Sequence, residues 1–268
     1  MNQQTEFAKV ISASRRIDLA GAFPDRFIEL LKEKAPPENT HTLVIWTKNP
    51  ANLLHYSLLR NELKKYESIF LHLTVTGMGG TLLEPKAPKP EQVLASLKKV
   101  VDSVGGGSHV RLRFDPVVHI CMNDGRNYTN LLQYPKIARA ASESGITNVS
   151  ISWMQIYRKV EKNLKANGMA PMQIPDAQIL EEMAFLQNVS SEFGLTLHGC
   201  CVPLMPRSRC IDGFLLQEIH PRKLPCSTVR AKGQRELCGC TESFDIGWYE
   251  PCRHGCVYCY ANPMIKQP

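Results

Sequence analysis

The sequence of 268 residues suits one large domain or two small ones, and a chain of this length buries about 75% of its unfolded surface on folding. Hydrophobic residues at 43% and charged residues at 21% exclude disordered, collagenous and coiled-coil proteins. The 32 Lys and Arg outnumber the 25 Asp and Glu, and the resulting net charge of +7 permits an anionic partner without requiring one.

Short apolar runs rich in β-branched residues alternate with helical patterns along the chain. This alternation is typical of parallel strands joined by crossover helices, so we expect an α/β fold. The predicted strands span residues 10–12, 42–46, 69–75, 109–114, 148–152, 195–197 and 244–246. The predicted helices span residues 24–33, 51–66, 90–104, 127–143 and 176–193, the last capped by Asp176 and terminated by Gly194.

Polar residues follow six of the predicted strands at the point where each strand ends. Because the carboxyl ends of parallel strands meet at one edge, where active sites are built, we expect these residues to line one site. Ser, Thr and Asp also begin turns and cap helices, so each residue taken singly has that simpler explanation. The polar ends are Ser12–Asp18, Thr47–Pro50, Thr74–Gly77, Arg113–Pro116, Ser152–Trp153 and His198.

Nine of the ten cysteines lie after position 199, and Cys121 is the exception. The polar start Met1–Glu6 lacks the charged and apolar regions of a signal peptide, and no run approaches the roughly 20 apolar residues of a membrane span. We therefore expect a cytoplasmic protein without membrane contact. In the reducing cytosol, clustered cysteines are more often metal ligands than disulfides.

The most specific motif is Cys252-Arg253-His254-Gly255-Cys256-Val257-Tyr258-Cys259, with the spacing C-x3-C-x2-C. Three thiolates on one tight loop can hold three irons of a 4Fe-4S cluster and leave the fourth iron open. The alternative is a zinc loop in which His254 supplies the fourth ligand, although zinc ligands usually come in C-x2-C pairs.

This loop resembles the cluster loop of radical S-adenosylmethionine enzymes, in the form seen in spore photoproduct lyase and its relatives. The whole chain also resembles an uncharacterised family of bacterial and archaeal proteins that carries the loop at its C-terminus. The matching motifs are Ser12-Ala13-Ser14-Arg15-Arg16 with Asp18, Trp46–Pro50, Thr74–Gly77, Glu84-Pro85, Arg113–Pro116, and Gln234-Arg235 leading to Cys238-Gly239-Cys240. Two positions depart from the pattern: Val202 replaces an acidic residue, and Leu19-Ala20-Gly21 replaces Ile-Pro-Ala.

In radical S-adenosylmethionine enzymes the cluster loop follows the first barrel strand, whereas here it follows the last predicted strand. The resemblance therefore implies a circularly permuted partial (β/α) barrel in which the last strand lies beside the first, an arrangement possible when chain ends lie close together. The expected units are a partial barrel at 1–199, a cysteine-rich metal-binding segment at 200–242, and the last strand with the cluster loop at 243–268.

The resemblance further implies that S-adenosylmethionine binds the open iron and yields a 5′-deoxyadenosyl radical, while the protein supplies position and a dry cavity. The residues implied to contact the cofactor are Ser12, Ser14, Lys48, Thr74, Thr76, Arg113 and Tyr258. Lys48 is the best of these, because a fixed cation at a strand end can pair with the methionine carboxylate. Arg113 and Asp115 are also compatible with pairing with each other or with holding substrate.

A second candidate site consists of Cys200, Cys210, Cys238 and Cys240. Four thiolates can hold an auxiliary 4Fe-4S cluster or a structural zinc, and we favour the cluster. Cys201 and Cys226 are possible substitutes for one of these ligands. Cys121 follows a predicted strand as a candidate hydrogen donor, although free cysteines are most often small buried hydrophobes.

The sequence thus predicts a radical S-adenosylmethionine enzyme that takes electrons from a donor of the flavodoxin or ferredoxin type. Its substrate, nucleic acid or small molecule, stays open because fold and cofactor do not fix it. Two alternatives belong to other classes: a zinc-stabilised nucleic-acid-binding module without catalysis, and a ferredoxin-like electron carrier.

Overall fold

A computed structural model describes residues 8–261, and ten strands are found in this part of the chain. They are β1 (Lys9–Ala13), β2 (Thr40–Thr47), β3 (Ile69–Thr74), β4 (Val110–Val117), β5 (His119–Met122), β6 (Asn127–Thr129), β7 (Asn148–Trp153), β8 (Met169–Pro171), β9 (Thr196–Gly199) and β10 (Phe244–Asp245).

The described helices lie mainly in the connections between these strands. They are α1 (Leu19–Ala22), α2 (Pro24–Lys34), α3 (Ala51–His55), α4 (Ser57–Leu63), α5 (Pro90–Ser103), α6 (Tyr134–Glu143), α7 (Arg158–Ala166), α8 (Asp176–Glu192) and α9 (Gly213–Ile219). Short 3-10 turns occupy Pro37–Asn39, Gly107–His109 and Leu131–Gln133.

Seven strands form one parallel sheet in the order β10-β1-β2-β3-β4-β7-β9. The α/β class is thereby confirmed, with the open parallel sheet of a partial barrel. The shortest strand, β10, lies beside the first, with Ile11 opposite Phe244 and Ser12 opposite Asp245. The carboxyl ends of all seven strands consequently lie along one edge, called here the carboxyl edge.

Alternation of side chains along the strands gives the sheet two different faces, because successive residues point to opposite sides. On one face, residues such as Leu43 and Leu71 pack against the helices in the main apolar core. The other face carries Val10, Val44, Trp46 and Phe70, which pack against Cys210, Ile211, Leu216, Cys226, Cys238 and Cys240. We call this second side the cysteine face.

Three expectations about helices are wrong. The helix expected over 127–143 begins at Tyr134, because residues 127–129 instead form β6, which pairs antiparallel with β5. The helix expected over 51–66 is two helices, since Tyr56 between them is extended with φ −87° and ψ 99°. Asp176 does not cap α8, because Pro175 occupies the cap position and Asp176 lies in the first turn.

A small antiparallel sheet in the order β6-β5-β8 was not expected from the sequence. It packs with α7 and with the second half of the cysteine loop, through residues including Ile120, Val160 and Val257. Within residues 8–261, no helix combines the length and apolar composition that a membrane span requires. The start of the chain, on which the expectation of no signal peptide rested, lies outside the described residues, as do positions 262–268.

Candidate functional site

The cysteine loop, residues Cys252–Cys259, follows β10 and lies at the carboxyl edge of the sheet. Two backbone bonds attach it to the segment after β3: Val257 N–H donates to Leu83 O at 3.0 Å, and Lys86 N–H donates to His254 O at 3.2 Å. Within the loop, Gly255 turns the chain with φ +66°, a conformation that L side chains rarely adopt. The loop is therefore held by neighbours that are distant in sequence.

Asp18, in the connection after β1, fixes the loop through its side chain. Its carboxylate accepts from His254 Nε2 at 2.7 Å, and also from Gly21 N, Thr47 Oγ1 and Lys48 N. Burial opposes the charged carboxylate, but the hydrogen bond and charge of His254 hold the pKa of Asp18 below its ordinary value. The imidazole that the zinc alternative needs as a ligand is thus bonded to a carboxylate through Nε2.

Three of the side chains that the resemblance assigned to the cofactor donate hydrogen bonds to Glu84. Its Oε1 accepts from Lys48 Nζ at 2.8 Å, from Thr76 Oγ1 at 2.5 Å, and from the hydroxyl of Tyr258. Burial disfavours the cation of Lys48, but the charges of Glu84 and of Cys256 raise its pKa above the ordinary value. Lys48 is therefore a largely buried cation placed beside the cysteine loop, with its side chain 16% exposed.

Asp245 at the end of β10 accepts hydrogen bonds from two serines of the resemblance motif. Ser12 Oγ lies 2.7 Å and Ser14 Oγ 2.8 Å from its carboxylate oxygens. The backbone N–H groups of Arg15 and Gly247 also donate to it. These bonds fasten the two-residue strand β10 to β1, so the serines' first role is to position the strand that leads into the loop.

Burial changes the pKa of two thiols in the cysteine loop. It raises the pKa of Cys252 to about 11 and also raises that of Cys256. Thiolates in such a place require cations or a metal to stabilise them. In the described part of the chain, no three His, Cys, Asp or Glu side chains are placed so that they could hold a single metal ion. In a 4Fe-4S cluster each cysteine binds its own iron, so three ligands need not converge on one point.

The second cysteine set does come together, on the cysteine face. Cys210, Cys238 and Cys240 belong to one buried cluster, and Cys200 and Cys201 are partly buried against it. The neighbouring thiols Cys200 and Cys240 hold the pKa of Cys210 well below that of a free thiol. The four thiols singled out in the sequence therefore lie together.

Two arginines donate to this thiol cluster. Arg113 Nη1 lies 3.2 Å from Cys210 Sγ, and its other terminal nitrogen bonds to Asp115. Arg235 Nη2 lies 3.6 Å from Cys200 Sγ. Of the uses that the sequence left open for Arg113 and Asp115, pairing with each other is the one observed, and Arg113 faces the second set rather than the loop.

Tyr260 comes directly after the loop. Burial raises the pKa of its hydroxyl, and Cys259 of the loop and Cys200 of the second set are both near enough to raise it further. The ring centroids of Tyr260 and Tyr157 are 6.0 Å apart. The two candidate metal sites are hence neighbours at the carboxyl edge.

The remaining candidates lie in different surroundings. Thr74 ends β3 and is partly exposed. Cys226 is buried and donates to Gly213 O, and Cys121 is part of β5 in the small sheet. His198 lies on β9, where its Nε2 is 3.1 Å from Asn148 Oδ1. None of these four takes part in the hydrogen-bonded groups around Glu84, Asp18 or Asp245 described above.

The sequence reasoning missed the three carboxylates that organise the site, Asp18, Glu84 and Asp245. Each stands within or beside a quoted motif: Asp18 closes the serine–arginine motif, Glu84 precedes a proline, and Asp245 ends the last predicted strand. Buried carboxylates are rare unless they are paired, and position in a motif alone does not show the partners.

Comparison with known proteins gives a family without a function. No curated protein matches the chain. A family model described as a domain of unknown function, DUF1848, matches residues 10–261, which is nearly the whole chain. The chain therefore belongs to the DUF1848 family.

Proposed function

We propose that this protein is a radical S-adenosylmethionine enzyme whose loop cysteines, Cys252, Cys256 and Cys259, hold a 4Fe-4S cluster with one open iron. When bound, the cluster and S-adenosylmethionine supply an electron and a 5′-deoxyadenosyl radical that takes hydrogen from a substrate. The observation that carries the proposal is the placement of a C-x3-C-x2-C loop at the carboxyl edge of a parallel sheet, next to the buried cation Lys48.

The pairing of β10 with β1 supports a permuted arrangement. A loop that follows β10 leaves the sheet beside the end of β1, so the last strand can take the place that the first strand has in the unpermuted order. The Asp245 bonds to Ser12 and Ser14 fix this junction. The chain itself thus contributes position and rigidity to the loop.

Lys48 is the residue that we assign to the cofactor's carboxylate. It is held by Glu84, and its ammonium lies 5.8 Å from the centre of the Tyr258 ring. A carboxylate arriving at the loop would meet a cation that is already positioned, which lowers the cost of ordering it. Ser12, Ser14, Thr74, Thr76, Arg113 and Tyr258 remain candidates for the rest of the contacts.

Among the described residues no three His, Cys, Asp or Glu side chains could hold a single metal ion, and this favours a loop with three cluster ligands over a zinc loop in which His254 is the fourth. The enzyme would take its electrons from a flavodoxin or ferredoxin type of donor. Its substrate, nucleic acid or small molecule, and the fate of S-adenosylmethionine as consumed or regenerated are not part of the proposal. We propose the second cysteine set as a further metal site.

Electron paramagnetic resonance of anaerobically reconstituted, reduced protein tests the proposal. We expect a reduced 4Fe-4S signal that changes when S-adenosylmethionine is added, and the change should be lost in Cys256→Ala. Cys121→Ala is the matched control, because Cys121 is part of the small antiparallel sheet. A protein that binds zinc instead of iron at the loop, or a loop cluster indifferent to S-adenosylmethionine, would contradict the proposal.

A further inference from the structure

Three buried side-chain nitrogens on the cysteine face have no hydrogen-bond partner among the described residues. One is the acceptor His72 Nδ1. The other two are N–H donors, Trp46 Nε1 and Arg111 Nε, on side chains whose residues are 8% and 3% exposed. A buried donor left unpaired costs about 1–3 kcal/mol, so native proteins rarely keep one without a use. Both donors therefore indicate an acceptor that the polypeptide does not supply.

These donors lie on the same face of the sheet as the second cysteine set. Trp46 belongs to the same buried cluster as Cys210, Cys238 and Cys240. Arg111 bonds through Nη1 to Arg209 O at 2.6 Å, next to Cys210, and its charge acts on Cys210 and Cys240. An acceptor bound by these cysteines would lie within the same group of side chains.

His72 holds the backbone of this site in place. Its Nε2 donates to Cys210 O at 2.6 Å, and its ring stacks on Trp46 with the centroids 4.7 Å apart. The indole and the Cys210 peptide are thereby fixed relative to each other. Trp46 is consequently a rigid part of the thiol site, although strand β2 is far from it in sequence.

Three arginines also place positive charge near the second cysteine set, although four neutral thiols have no charge to balance. Arg113 donates to Cys210 Sγ, Arg235 donates to Cys200 Sγ, and Arg111 lies close by. N–H groups and cations near the sulfurs of an iron–sulfur cluster favour its reduced, more negative form. A single zinc ion would need three or more His, Cys, Asp or Glu side chains to converge on one point, and no such group is found among the described residues, whereas in a 4Fe-4S cluster each cysteine binds its own iron.

We propose that Cys200, Cys210, Cys238 and Cys240 hold a redox-active 4Fe-4S cluster whose reduced form is stabilised by Trp46, Arg111 and Arg113. On reduction, one electron passes from an external one-electron donor, which is oxidised, to the cluster, and no bond forms or breaks. This inference goes beyond the proposed function, and because it concerns different ligands it can be tested separately.

The test uses a full-length variant in which Cys252, Cys256 and Cys259 are all replaced by Ala, so that only the second set can bind metal. After anaerobic reconstitution with ferrous iron and sulfide, iron and sulfide content are measured and a redox titration is followed by electron paramagnetic resonance. In this background we expect about four irons and four sulfides per chain, as the composition of one such cluster requires. We also expect an electron paramagnetic resonance signal whose intensity follows a one-electron Nernst curve as the potential is lowered.

Two further substitutions identify the tuning residues. Arg113→Gln removes a cation beside Cys210, and Trp46→Phe removes the indole N–H together with part of the ring system while keeping an aromatic ring against His72. Both should shift the midpoint to lower potential, with the larger shift for Arg113→Gln. Arg209→Gln is the matched control, because its partly exposed side chain pairs with Asp212 rather than with a thiol, and its midpoint should equal that of the parent.

Three results would overturn the inference. The first is a loop-free variant that takes up zinc but no iron and sulfide. The second is a midpoint that neither substitution moves. The third is an equal shift in Arg209→Gln, which would indicate only a general effect of surface charge. If Arg113→Gln does not fold, Trp46→Phe alone decides the role of the donors. A titrating second cluster in a protein whose loop ignores S-adenosylmethionine would refute the proposed function and leave this inference standing.

Discussion

His254 Nε2 lies 2.7 Å from Asp18 Oδ2, and this bond joins two residues near opposite ends of the chain. Asp18 also accepts from the backbone N–H of Lys48, the cation beside the loop. One carboxylate thereby fixes both the cysteine loop and the segment that carries its neighbouring cation. The geometry of the candidate cluster site consequently depends on a residue that binds neither metal nor cofactor.

Asp18→Asn tests this relationship. An amide cannot accept from all four donors at once, so at least one buried N–H or O–H loses its partner, at a cost of about 1–3 kcal/mol. We expect a matching drop in the free energy of unfolding of the metal-free protein in urea. The thiol of Cys252 should also react faster with a thiol reagent, because the loop loses its attachment.

The control for this substitution is Asp124→Asn. Asp124 is half-exposed and pairs with the exposed Arg126, and such pairs contribute little to stability. Equal stability and equal thiol reactivity of Asp18→Asn and the wild type would show that the His254 bond does not hold the loop.

Glu84→Gln tests whether the buried carboxylate supports Lys48. The side chains of Lys48 and Glu84 are 16% and 3% exposed, and removing one partner of a buried pair leaves the other charge uncompensated. We expect a loss of about 3–5 kcal/mol in the free energy of unfolding. In the Lys48→Met/Glu84→Gln double variant part of this loss should be recovered, because no lone charge remains. Urea unfolding of the four proteins in this cycle measures the coupling, and strictly additive losses would contradict it.

Much of the fold follows from periodicity in the sequence. Strands such as β2 and β3 are apolar on both faces and long enough to be recognised, and all seven predicted strands pair in one parallel sheet. The small antiparallel sheet escaped prediction because β6 and β8 have only three residues each and lack an alternating pattern. The helix expected over 127–143 was started too early for the same reason, since residues 127–129 form β6 and the helix begins at Tyr134.

The candidate site was predictable in its cysteines and much less so in its partners. Spacing alone marks Cys252, Cys256 and Cys259 as candidates, because three cysteines within eight residues must lie on one loop. The bonds of Ser12 and Ser14 to Asp245 join residues more than two hundred positions apart, with separations of 233 and 231. Such pairings depend on which strands lie side by side in the sheet, and local sequence patterns do not show the order of the strands.

The carboxylate of Glu182 links the stability of the fold to pH. Burial raises its pKa, but hydrogen bonds from His119 at 3.0 Å and Trp153 Nε1 at 2.8 Å hold the pKa below the ordinary 4.5. The ionised carboxylate therefore stabilises the folded state fully above about pH 4.5, and this contribution is lost as the pH falls through the lowered value.

We accordingly expect Glu182→Gln to lower the free energy of unfolding by about 1–3 kcal/mol at neutral pH, with a difference from wild type that shrinks below about pH 4.5. Denaturant titrations across this range measure it. Glu192→Gln serves as the control, because Glu192 is exposed on the same helix α8. If the difference in the free energy of unfolding between Glu182→Gln and the wild type does not change with pH, the charge of the Glu182 carboxylate does not stabilise the fold.

Gly247, two residues after the end of β10, lies against Ser14 in the connection that follows β1. A Cβ built on Gly247 would overlap both Oγ and Cβ of Ser14, the serine that donates to Asp245. Gly247→Ala should therefore push β10 away from β1 and destabilise the protein by about 1–3 kcal/mol, as overpacking does. The backbone bond from Ile246 N–H to Ser12 O, 3.0 Å long, should weaken as well.

Hydrogen exchange at Ile246, together with thermal unfolding, measures both effects of Gly247→Ala. The compensating variant Ser14→Gly/Gly247→Ala removes the atoms that overlap, so it should recover slow exchange at Ile246 although Asp245 has lost one donor. Ser14→Gly alone separates that lost donor from the relief of overlap. If the double variant exchanges at Ile246 as fast as Gly247→Ala does, close contact between residues 14 and 247 does not hold β10 against β1. That result would also remove the support for a loop that is positioned by the β1–β10 junction.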